Sequence, residues 1–444
     1  MMRCTAGIAI GSYAELMLRK ERQPPQTLAA LPSVRTIIVE LTGEQLPAGT
    51  DYYRIPVQAI ACSAADKAEF SLSGRLHVLV PAALIRGTYA GGVTRIGERS
   101  GMKASSVLLN TAEPFSRFLH DAQPCRFYAR GMRILVTGSF SKTGEVFYAK
   151  PVQPVFLGWS SSFSRMRALL RFAFMRMLYG WGNAGGLLLA LLAADKAFLP
   201  QNCTEAFRNA GLAHILALSG MHLSLIGTAA LQGGRLFGHK KRALYFSLAA
   251  VCAFVWFAGS APSLNRALGM VFIAAIGEAL GLKPPVFSVL CTMLTLHIAF
   301  GSADAVTLGF MLSYGACAGI LIFGEACARL AVGAIIPAIA QSLSASIGAQ
   351  LFTAPIVIGA IGTAAAGGII ASCIVSPLVS FFLIGGLIAI SLTLLFPPIG
   401  AILGYVLNGC YCVIFSAADF FAHLPLIVPE TPLQRVLVSG TAFA

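Results

Sequence analysis

Several polar side chains stand inside strongly apolar stretches of this chain, and the densest group includes His214, Ser219 and His222. A polar or ionisable group in a membrane span is costly unless it faces the protein interior or water, so such positions are functional candidates. On a straight helix these three side chains fall within an arc of about 140°. The spacing therefore predicts one wet face, and the alternative is hydrogen bonding between neighbouring helices.

Two glycines accompany these side chains. Gly211 falls in the same arc, and Gly220 is placed to break or bend the helix beside Ser219. A broken helix exposes backbone groups that a polar ligand can use.

A second polar cluster spans residues 259–270, where one apolar run ends and the next begins. It contains Pro262 and Ser263, and Arg266 is its only charged residue. A guanidinium group at that depth would act as a fork for a phosphate group or as an anchor between paired helices. The alternative is that Arg266 lies near the end of a span and extends its charge to the membrane surface.

The composition indicates which elements must position these side chains. Of 444 residues, 57% are hydrophobic and 11% are charged, with a mean hydropathy of +0.76. An ordinary soluble domain carries about a quarter of charged residues, so a soluble globular protein is excluded. A spanning helix needs about 20 mainly apolar residues. The apolar runs predict about eight membrane segments in 209–234, 243–265, 267–282, 284–303, 305–324 and the long run 330–418.

The amino-terminal part differs in character. Between residues 30 and 158, short β-rich runs alternate with turn residues, which predicts a small β-barrel of about five or six strands, and an OB-type barrel belongs to that class. The expected strands are Arg35–Leu41, Tyr53–Cys62, Phe70–Val80, Val107–Asn110, Arg126–Phe140 and Val146–Val155. Cys62 could pair with Cys125 if this domain faces an oxidising compartment.

The last predicted strands mix aromatic rings with cations. The candidate residues are Tyr128, Arg130, Arg133, Lys142 and Tyr148. Single-stranded nucleic acid suits such a surface, because its bases stack on rings while its phosphates meet cations. The alternative is that the rings belong to the barrel core and that the cations form a solvated face.

One basic segment, residues 163–179, places four arginines among bulky apolar residues. They are Arg165, Arg167, Arg171 and Arg176. This pattern is typical of a helix that lies in the membrane interface with its basic side toward the lipid headgroups. A linker helix packed on the membrane domain is the alternative. The loop 234–242 has four cations and no anion, so the positive-inside rule places it in the cytoplasm.

Five segments of the chain resemble the ComEC-type competence proteins. The string FRNAGLAHILALSGMH is similar to the hallmark of that family, and APSLNRALGM is similar to its Pro-Ser-x-x-Arg-Ala motif. TLGFMLSYGACAGI is similar to its Gly-Phe-x-Leu-Ser motif, and AQLFTAPIVIG and IVSPLVSFF follow in the family's order. The resemblance covers about residues 180–425. Over residues 60–158 it is general, in that family members carry an OB-like domain there.

The resemblance implies an inner-membrane channel that passes transforming DNA into a bacterium as a single strand. The expected partners are single-stranded DNA and membrane lipid, with a DNA receptor, a separate nuclease and a cytoplasmic motor or single-strand-binding protein. An external motor is expected because the chain has no Gly-x-x-x-x-Gly-Lys-Ser/Thr loop. The candidates for the DNA path are Gly211, His214, Ser219, Gly220, His222, Pro262, Ser263, Arg266, Phe310 and Ser313.

The sequence also departs from the family pattern. Ala194-Asp195-Lys196 stands where the family usually has Gly-Asp-Arg, and Ser372 stands where Asn is common. Full-length members usually continue into a metallo-β-lactamase-like domain, whereas this chain ends at Ala444 and its seven histidines form no His-x-His-x-Asp-His set for zinc. We therefore expect no nuclease, no enzyme activity and no cofactor in this chain.

Two other functions fit parts of the sequence. Ser219-Gly220 with an intramembrane histidine resembles the active dyad of rhomboid-like serine proteases, with His297 as the base on another span. Against this, Ala217 replaces the first glycine of the Gly-x-Ser-Gly signature, and His222 is poorly placed three residues along the same helix. A small-solute transporter would also use broken helices and polar groups at the membrane midplane.

The predicted fold class is a polytopic α-helical membrane protein with an N-terminal small β-barrel. The chain divides into a segment 1–29 that is at best a weak anchor, an OB-like barrel 30–158, a basic amphipathic interfacial helix 159–182, a competence-type channel domain 183–424 and a short tail 425–444.

Overall fold

In the computed structural model, the described residues are 26–27, 34–43, 46–48, 52–64, 69–81, 128–141, 146–152, 154–196, 198–235, 240–259, 261–300, 305, 307–331, 337–361, 364–365, 367–424 and 426–427. They belong to two compact units, and the boundary between the units lies between Arg176 and Met177. The predictions for Val107–Asn110, Cys125 and Lys142 fall outside the described residues.

The first unit contains a closed barrel of five strands. These are β2 (Val34–Leu41), β4 (Tyr52–Ala64), β5 (Glu69–Pro81), β6 (Met132–Phe140) and β7 (Val146–Ala149). Antiparallel pairings join β2 to β4, β4 to β5, β7 to β6 and β6 to β2. A parallel pairing between β5 and β7 closes the ring. Three short strands, β1 (Gln26–Thr27), β3 (Leu46–Ala48) and β8 (Val155–Trp159), pair with β5, β4 and β6.

Alternation of side chains builds the barrel core. Along β2, Ile37, Val39 and Leu41 are at most 1% exposed, and the residues between them are more exposed. This period of two is the geometry of a strand whose one face packs inward. Ile55 of β4 and Phe147 of β7 join the same hydrophobic cluster. The apolar inner faces therefore hold the ring together.

Three predicted strands are confirmed. The runs Arg35–Leu41, Tyr53–Cys62 and Phe70–Val80 lie within β2, β4 and β5. They were recognisable because β-branched and aromatic residues recur there at the strand period.

Two predicted strands are corrected. In the described part of the run Arg126–Phe140, the strand begins only at Met132. A turn precedes it, in which Gly131 has a φ of +87° and the Met132 amide donates to the Ala129 carbonyl at 3.1 Å. The run Val146–Val155 divides into the two strands β7 and β8, because the chain turns after Ala149.

The rest of the described chain is mainly helical. The helices are α1 (Ser162–Tyr179), α2 (Gly182–Ala193), α3 (Gln201–Asn209), α4 (Gly220–Arg235), α5 (Lys240–Ala258), α6 (Pro262–Ala279), α7 (Val286–Phe300), α8 (Leu308–Ala331), α9 (Pro337–Ile361), α10 (Gly368–Leu395) and α11 (Gly400–Ala422). Two short strands, β9 (Ala364–Ala365) and β10 (Leu426–Ile427), pair with each other.

Three helical segments among the described residues are long and apolar enough to cross a bilayer. They are Leu343–Ala360, Gly368–Leu395 and Pro397–Ala422. Shorter apolar helices cover Gly182–Ala193, Arg242–Ala258, Val286–Phe300 and Leu308–Gly324. By length and composition, these three spans are fewer than the predicted number of about eight.

Helix α1 presents an apolar stripe to the outside. Phe163, Met166 and Leu170 are 69%, 47% and 39% exposed, and their spacing places them on one helix face. Arg167 and Arg171, in contrast, are buried. The prediction that the basic side faces outward is therefore wrong for these two arginines.

The predicted continuous helix over residues 209–234 is wrong. Helix α3 ends at Asn209 and α4 begins at Gly220, and the residues between them form turns. Gly211 has a φ of +76°, a left-handed conformation that terminates helices and favours glycine. The Leu212 amide donates to the Phe207 carbonyl at 2.7 Å, which completes this helix end. The expected break at Gly220 is therefore present as a helix start.

Helices α8 and α9 approach closely at a pair of glycines. A Cβ atom on Gly319 would lie 2.1 Å from the carbonyl oxygen of Gly348. Small residues permit such backbone contacts between membrane helices. We expect Gly319→Ala to lower the free energy of unfolding by about 1–3 kcal/mol, because the two helices must move apart.

Gly324→Ala on the same helix is the matched control. Its added Cβ would meet only Ile320 Cγ2, at an ordinary 3.7 Å. Thermal unfolding of the purified protein in detergent measures both variants. Equal melting temperatures for the two would contradict the close approach.

Candidate functional site

The amino-terminal end of α4 is capped by a serine and a histidine. The Ser219 amide donates to Nδ1 of His222 at 3.1 Å, and Ser219 Oγ lies 3.0 Å from the same nitrogen. The bond from the Ser219 amide to the histidine side chain three residues later is one half of a capping box, with histidine in place of Glu or Gln, and Ser219 Oγ contacts the same nitrogen. Because Nδ1 accepts from a backbone amide, the imidazole proton is on Nε2. His222 is 0% exposed, and its Nε2 has no hydrogen-bond partner among the described residues.

His214 does not share a helix face with this pair. It lies in the turns between α3 and α4, where its side chain is exposed and its Nδ1 is 3.2 Å from the Gly211 carbonyl. The predicted wet face of three side chains is therefore corrected. Gly211 instead permits a close approach, since a Cβ atom there would lie 3.3 Å from Gly368 Cα at the start of α10.

Helix α6 packs its first turns against the start of α4. Pro262 occupies the first turn of α6, and Ser263 Oγ donates to the Leu218 carbonyl at 2.5 Å. A Cβ atom on Gly220 would lie 3.5 Å from Ala267 Cβ and 3.8 Å from Arg266 Nη2. The absence of a side chain at Gly220 therefore leaves the guanidinium group beside the helix start.

Arg266 connects the start of α4 with α8. Its Nη1 donates to the Ser313 carbonyl at 2.5 Å and also contacts Sγ of Cys317. The guanidinium carbon lies 5.8 Å from the centre of the Tyr314 ring, which is within range of a cation–π contact. Arg266 is 8% exposed. The Nε atom of Arg266 and the Oγ atom of Ser313 are buried without a hydrogen-bond partner among the described residues.

Ser219, His222, Ser263, Arg266 and Ser313 together are named the polar cluster below. The first two come from α4 and its cap, the next two from α6, and the last from α8. Tertiary packing thus brings together residues from three separate sequence motifs.

An aromatic group borders the cluster on α7 and α8. His297 Nδ1 lies 3.1 Å from the Tyr314 hydroxyl, and the ring centres of Phe310 and Tyr314 are 4.5 Å apart. The rings of His297 and Phe310 are 5.1 Å apart. Phe310 therefore packs in this group, and His297 makes a hydrogen bond with Tyr314.

Sequence analysis missed Tyr314 and Cys317. Both follow Phe310 at helical spacing, by four and seven residues, so they lie on the same face of α8. That periodicity was the available signal. An aromatic or a thiol at such spacing in an apolar helix is ordinarily core, which concealed their contact with Arg266.

The barrel separates the predicted DNA-binding residues into core and surface. Tyr128 is 9% exposed and belongs to the core cluster, so its proposed stacking role is wrong because a base cannot reach the ring. Tyr148 is 46% exposed, and Arg130 is also exposed. Arg133 is exposed but lies 3.3 Å from the Glu40 carboxylate. Lys142 is outside the described residues.

The register of the barrel adds an arginine that the sequence did not single out. Leu79 of β5 pairs with Tyr148 on one side and with Arg54 on the other. Paired residues point to the same face of a sheet, so Tyr148 and the exposed Arg54 both face outward, about 10 Å apart across two strand spacings. A ring and a cation at this separation suit one nucleotide and its neighbouring phosphate.

Among the described residues, no group of three or more His, Cys, Asp and Glu side chains is arranged to hold a metal ion. The polar cluster itself offers one histidine, one arginine and serines, which are hydrogen-bond donors rather than a ligand set for a cation.

One comparison with known proteins locates the chain among protein families. The family model described as competence protein matches residues 191–444, more than half of the chain. The matched range contains the whole polar cluster and begins within α2. No curated protein and no solved structure gives a significant match.

Proposed function

The chain belongs to the competence protein family, and we propose that it is a channel that passes single-stranded DNA across the bacterial inner membrane. The family indicates a role in DNA uptake for transformation. With its long apolar helices, the chain is a membrane protein. The channel activity, the single-stranded form of the substrate and the inner-membrane location are our proposal.

The observation that carries the proposal is the polar cluster among apolar helices. A DNA strand carries one phosphate per nucleotide, so a path through a low-dielectric core needs polar groups and cations that bind each phosphate briefly. Arg266 and His222 supply such groups, with Ser219 and Ser313 beside them. Gly220 is the first residue of α4 and Pro262 is the first residue of α6, the two helices that carry His222 and Arg266.

We place about eight membrane segments in α4 to α11. Helices α8 to α11 have 23 to 28 residues, which exceeds the length needed for the hydrocarbon core. Helices α4 and α7 have 16 and 15 residues, so they need a thinner bilayer or polar flanking residues at their ends. The basic loop 234–242 then lies in the cytoplasm.

We assign the barrel to the OB-like class and propose single-stranded DNA as its ligand. Its strands follow the order of a five-stranded Greek-key barrel, with the parallel pair β5–β7 closing the ring. Strands β4 and β5 correspond to the face on which OB folds bind oligonucleotides. Arg54 and Tyr148 stand on either side of Leu79 on this outer face.

Membrane lipid is the second proposed partner of the chain. The exposed stripe of Phe163, Met166 and Leu170 on α1 suits the boundary between headgroups and acyl chains. Arg165 is exposed on the same helix and would meet the lipid phosphates.

We propose a transporter rather than an enzyme. Nδ1 of His222 accepts from the Ser219 amide as well as lying near its hydroxyl, so the contact serves to cap α4. A hydrolytic base would need that lone pair for the hydroxyl proton. Movement of the strand then depends on a separate cytoplasmic motor, and removal of the second strand depends on a separate nuclease.

Deletion of the gene tests the proposed function. A strain without the chain is expected to lose transformation by purified linear DNA, and the intact gene supplied in trans is expected to restore it. DNA binding at the cell surface and growth on single nutrients should stay normal, because neither needs the channel. Normal transformation in the deletion strain, or a growth defect that nutrient addition repairs, would contradict DNA transport.

A further inference from the structure

We propose that Arg266 and the amino-terminal end of α4 form a binding site for a phosphate oxyanion inside the helical unit. The assignment of this oxyanion to a phosphodiester of the DNA strand rests on the proposed function. The site itself rests on the buried charge, the unpartnered donors and the helix start, each of which is a separate observation.

The first observation is the charge of Arg266. The residue is 8% exposed, and its Nε atom is buried. Its observed contacts are a backbone carbonyl, the thiol of Cys317 and the ring of Tyr314, and none of these is a carboxylate. Among the described residues, these contacts of Arg266 include no counterion, and a buried cation without one is strongly unfavourable, so an anion at this place would stabilise the fold.

The second observation is that three buried atoms of the polar cluster have no hydrogen-bond partner among the described residues, and each of them can donate. Nε of Arg266 always carries a proton, and Nε2 of His222 carries one because Nδ1 accepts from the Ser219 amide. Oγ of Ser313 is the third unpartnered atom, and the backbone carbonyl of the same residue accepts a hydrogen bond from Arg266. A buried donor without a partner costs about 1–3 kcal/mol. Three such donors favour a ligand that has acceptor oxygens.

The third observation is the start of α4. This helix has 16 residues, and its first amides point out of the helix with a partial positive charge. Arg266 Nη2 would be 3.8 Å from a Cβ atom on Gly220, and the His222 ring folds back onto Ser219. Both side chains therefore lie at the helix end where anions bind.

Phosphate fits these donors because it offers several acceptor oxygens. A guanidinium fork binds two oxygens of one phosphate group, and helix amides and an imidazole N–H bind a third. The same oxyanion occurs in a DNA strand, in a lipid headgroup and in free inorganic phosphate. A transported strand would occupy the site one phosphate at a time.

Titration of the purified full chain with inorganic phosphate tests the site. The protein is kept in a maltoside detergent, which contains no phosphate, and binding is followed by calorimetry. We expect saturable binding that falls at least about tenfold in Arg266→Met and falls less in Arg266→Lys, because lysine keeps the charge and loses the fork. Lys283→Met is the matched control, since Lys283 is an exposed cation next to α6, and its binding should equal that of wild type.

Folding of each variant is measured separately by gel filtration and circular dichroism. If Arg266→Met is misfolded, the Arg266→Lys variant decides, and wild-type phosphate affinity in a folded Lys variant would overturn the fork. Absence of saturable phosphate binding in the wild-type chain would overturn the site.

Competition identifies the source of the oxyanion. A short oligothymidylate and a short-chain phosphatidylglycerol are each added to the phosphate complex. Displacement by the oligonucleotide supports a DNA phosphodiester, and displacement by the lipid alone overturns that assignment. If transformation needs the chain but phosphate does not bind, the site fails and the proposed function stands. If phosphate binds and the deletion strain transforms normally, the proposed function fails and the site stands.

Discussion

Replacing Arg266 with alanine is expected to lower DNA uptake about 10- to 150-fold, and replacing it with lysine is expected to lower uptake less. Alanine removes both the charge and the planar fork, whereas lysine keeps a charge on a flexible stem. The guanidinium group of the buried Arg266 contacts the Ser313 carbonyl and lies near the Tyr314 ring. A charged hydrogen bond contributes about 1.5–3 kcal/mol, which gives the stated range.

Transformation frequency in a deletion strain that carries each variant measures this effect. The frequency is divided by the amount of variant in the membrane fraction, which is determined by quantitative immunoblot. Lys283→Ala is the control, because it removes an exposed cation outside the cluster. Uptake that falls only in proportion to the amount of membrane-inserted protein would make Arg266 a structural anchor between α6 and α8.

Binding of single-stranded DNA to the barrel is expected to weaken about 20-fold when the salt concentration rises from about 50 to about 200 mM. This value assumes that the exposed Arg54, Arg130 and Arg133 each contact one phosphate. The expected slope of log affinity against log salt is about −2, or about −0.7 for each phosphate. Sequence preference should be small, because the Tyr148 ring can stack on any base. Fluorescence anisotropy of a labelled oligonucleotide with the full chain measures this dependence.

Two variants assign this binding to the outer face of the barrel. Tyr148→Ala should weaken it by about 1–3 kcal/mol, the contribution of one stacked base, and Arg54→Ala should make the salt slope shallower by about 0.7. Phe163→Ala removes an exposed ring on α1 and should leave affinity unchanged. Arg266→Ala should also leave this binding in place. Wild-type affinity and slope in both barrel variants would leave the barrel a structural module.

The helical unit illustrates how a local pattern can mislead about a site. The run around Gly211 and Ser219 is apolar and free of charge, so a straight helix was the natural prediction. The structure places turns there, because the left-handed Gly211 ends α3 and the Ser219–His222 cap begins α4. His214 therefore lies in the turns, apart from Ser219 and His222. Helix periodicity applies only within one helix, and a single glycine can divide the run.

In the barrel, too, the local sequence does not decide which side chains are exposed. Tyr128 and Tyr148 belong to one aromatic and basic segment, yet the first is 9% exposed and the second is 46% exposed. The turn at Gly131 and the closure of the barrel decide which of the two tyrosine side chains faces inward. Arg54 is distant in sequence from Tyr148 and comes near it only through the shared partner Leu79.

The sequence by itself determined that this is a membrane protein with an amino-terminal β domain. Long runs with few charges indicate helices inside a membrane, and apolar residues at every second position indicate strands. Both patterns are visible in the sequence because they involve residues that are near neighbours in the chain. Tertiary structure alone decided that Arg266 of α6 meets Ser313 of α8 and the start of α4. Such contacts join residues about 45 positions apart, and they depend on how helices pack rather than on any local preference.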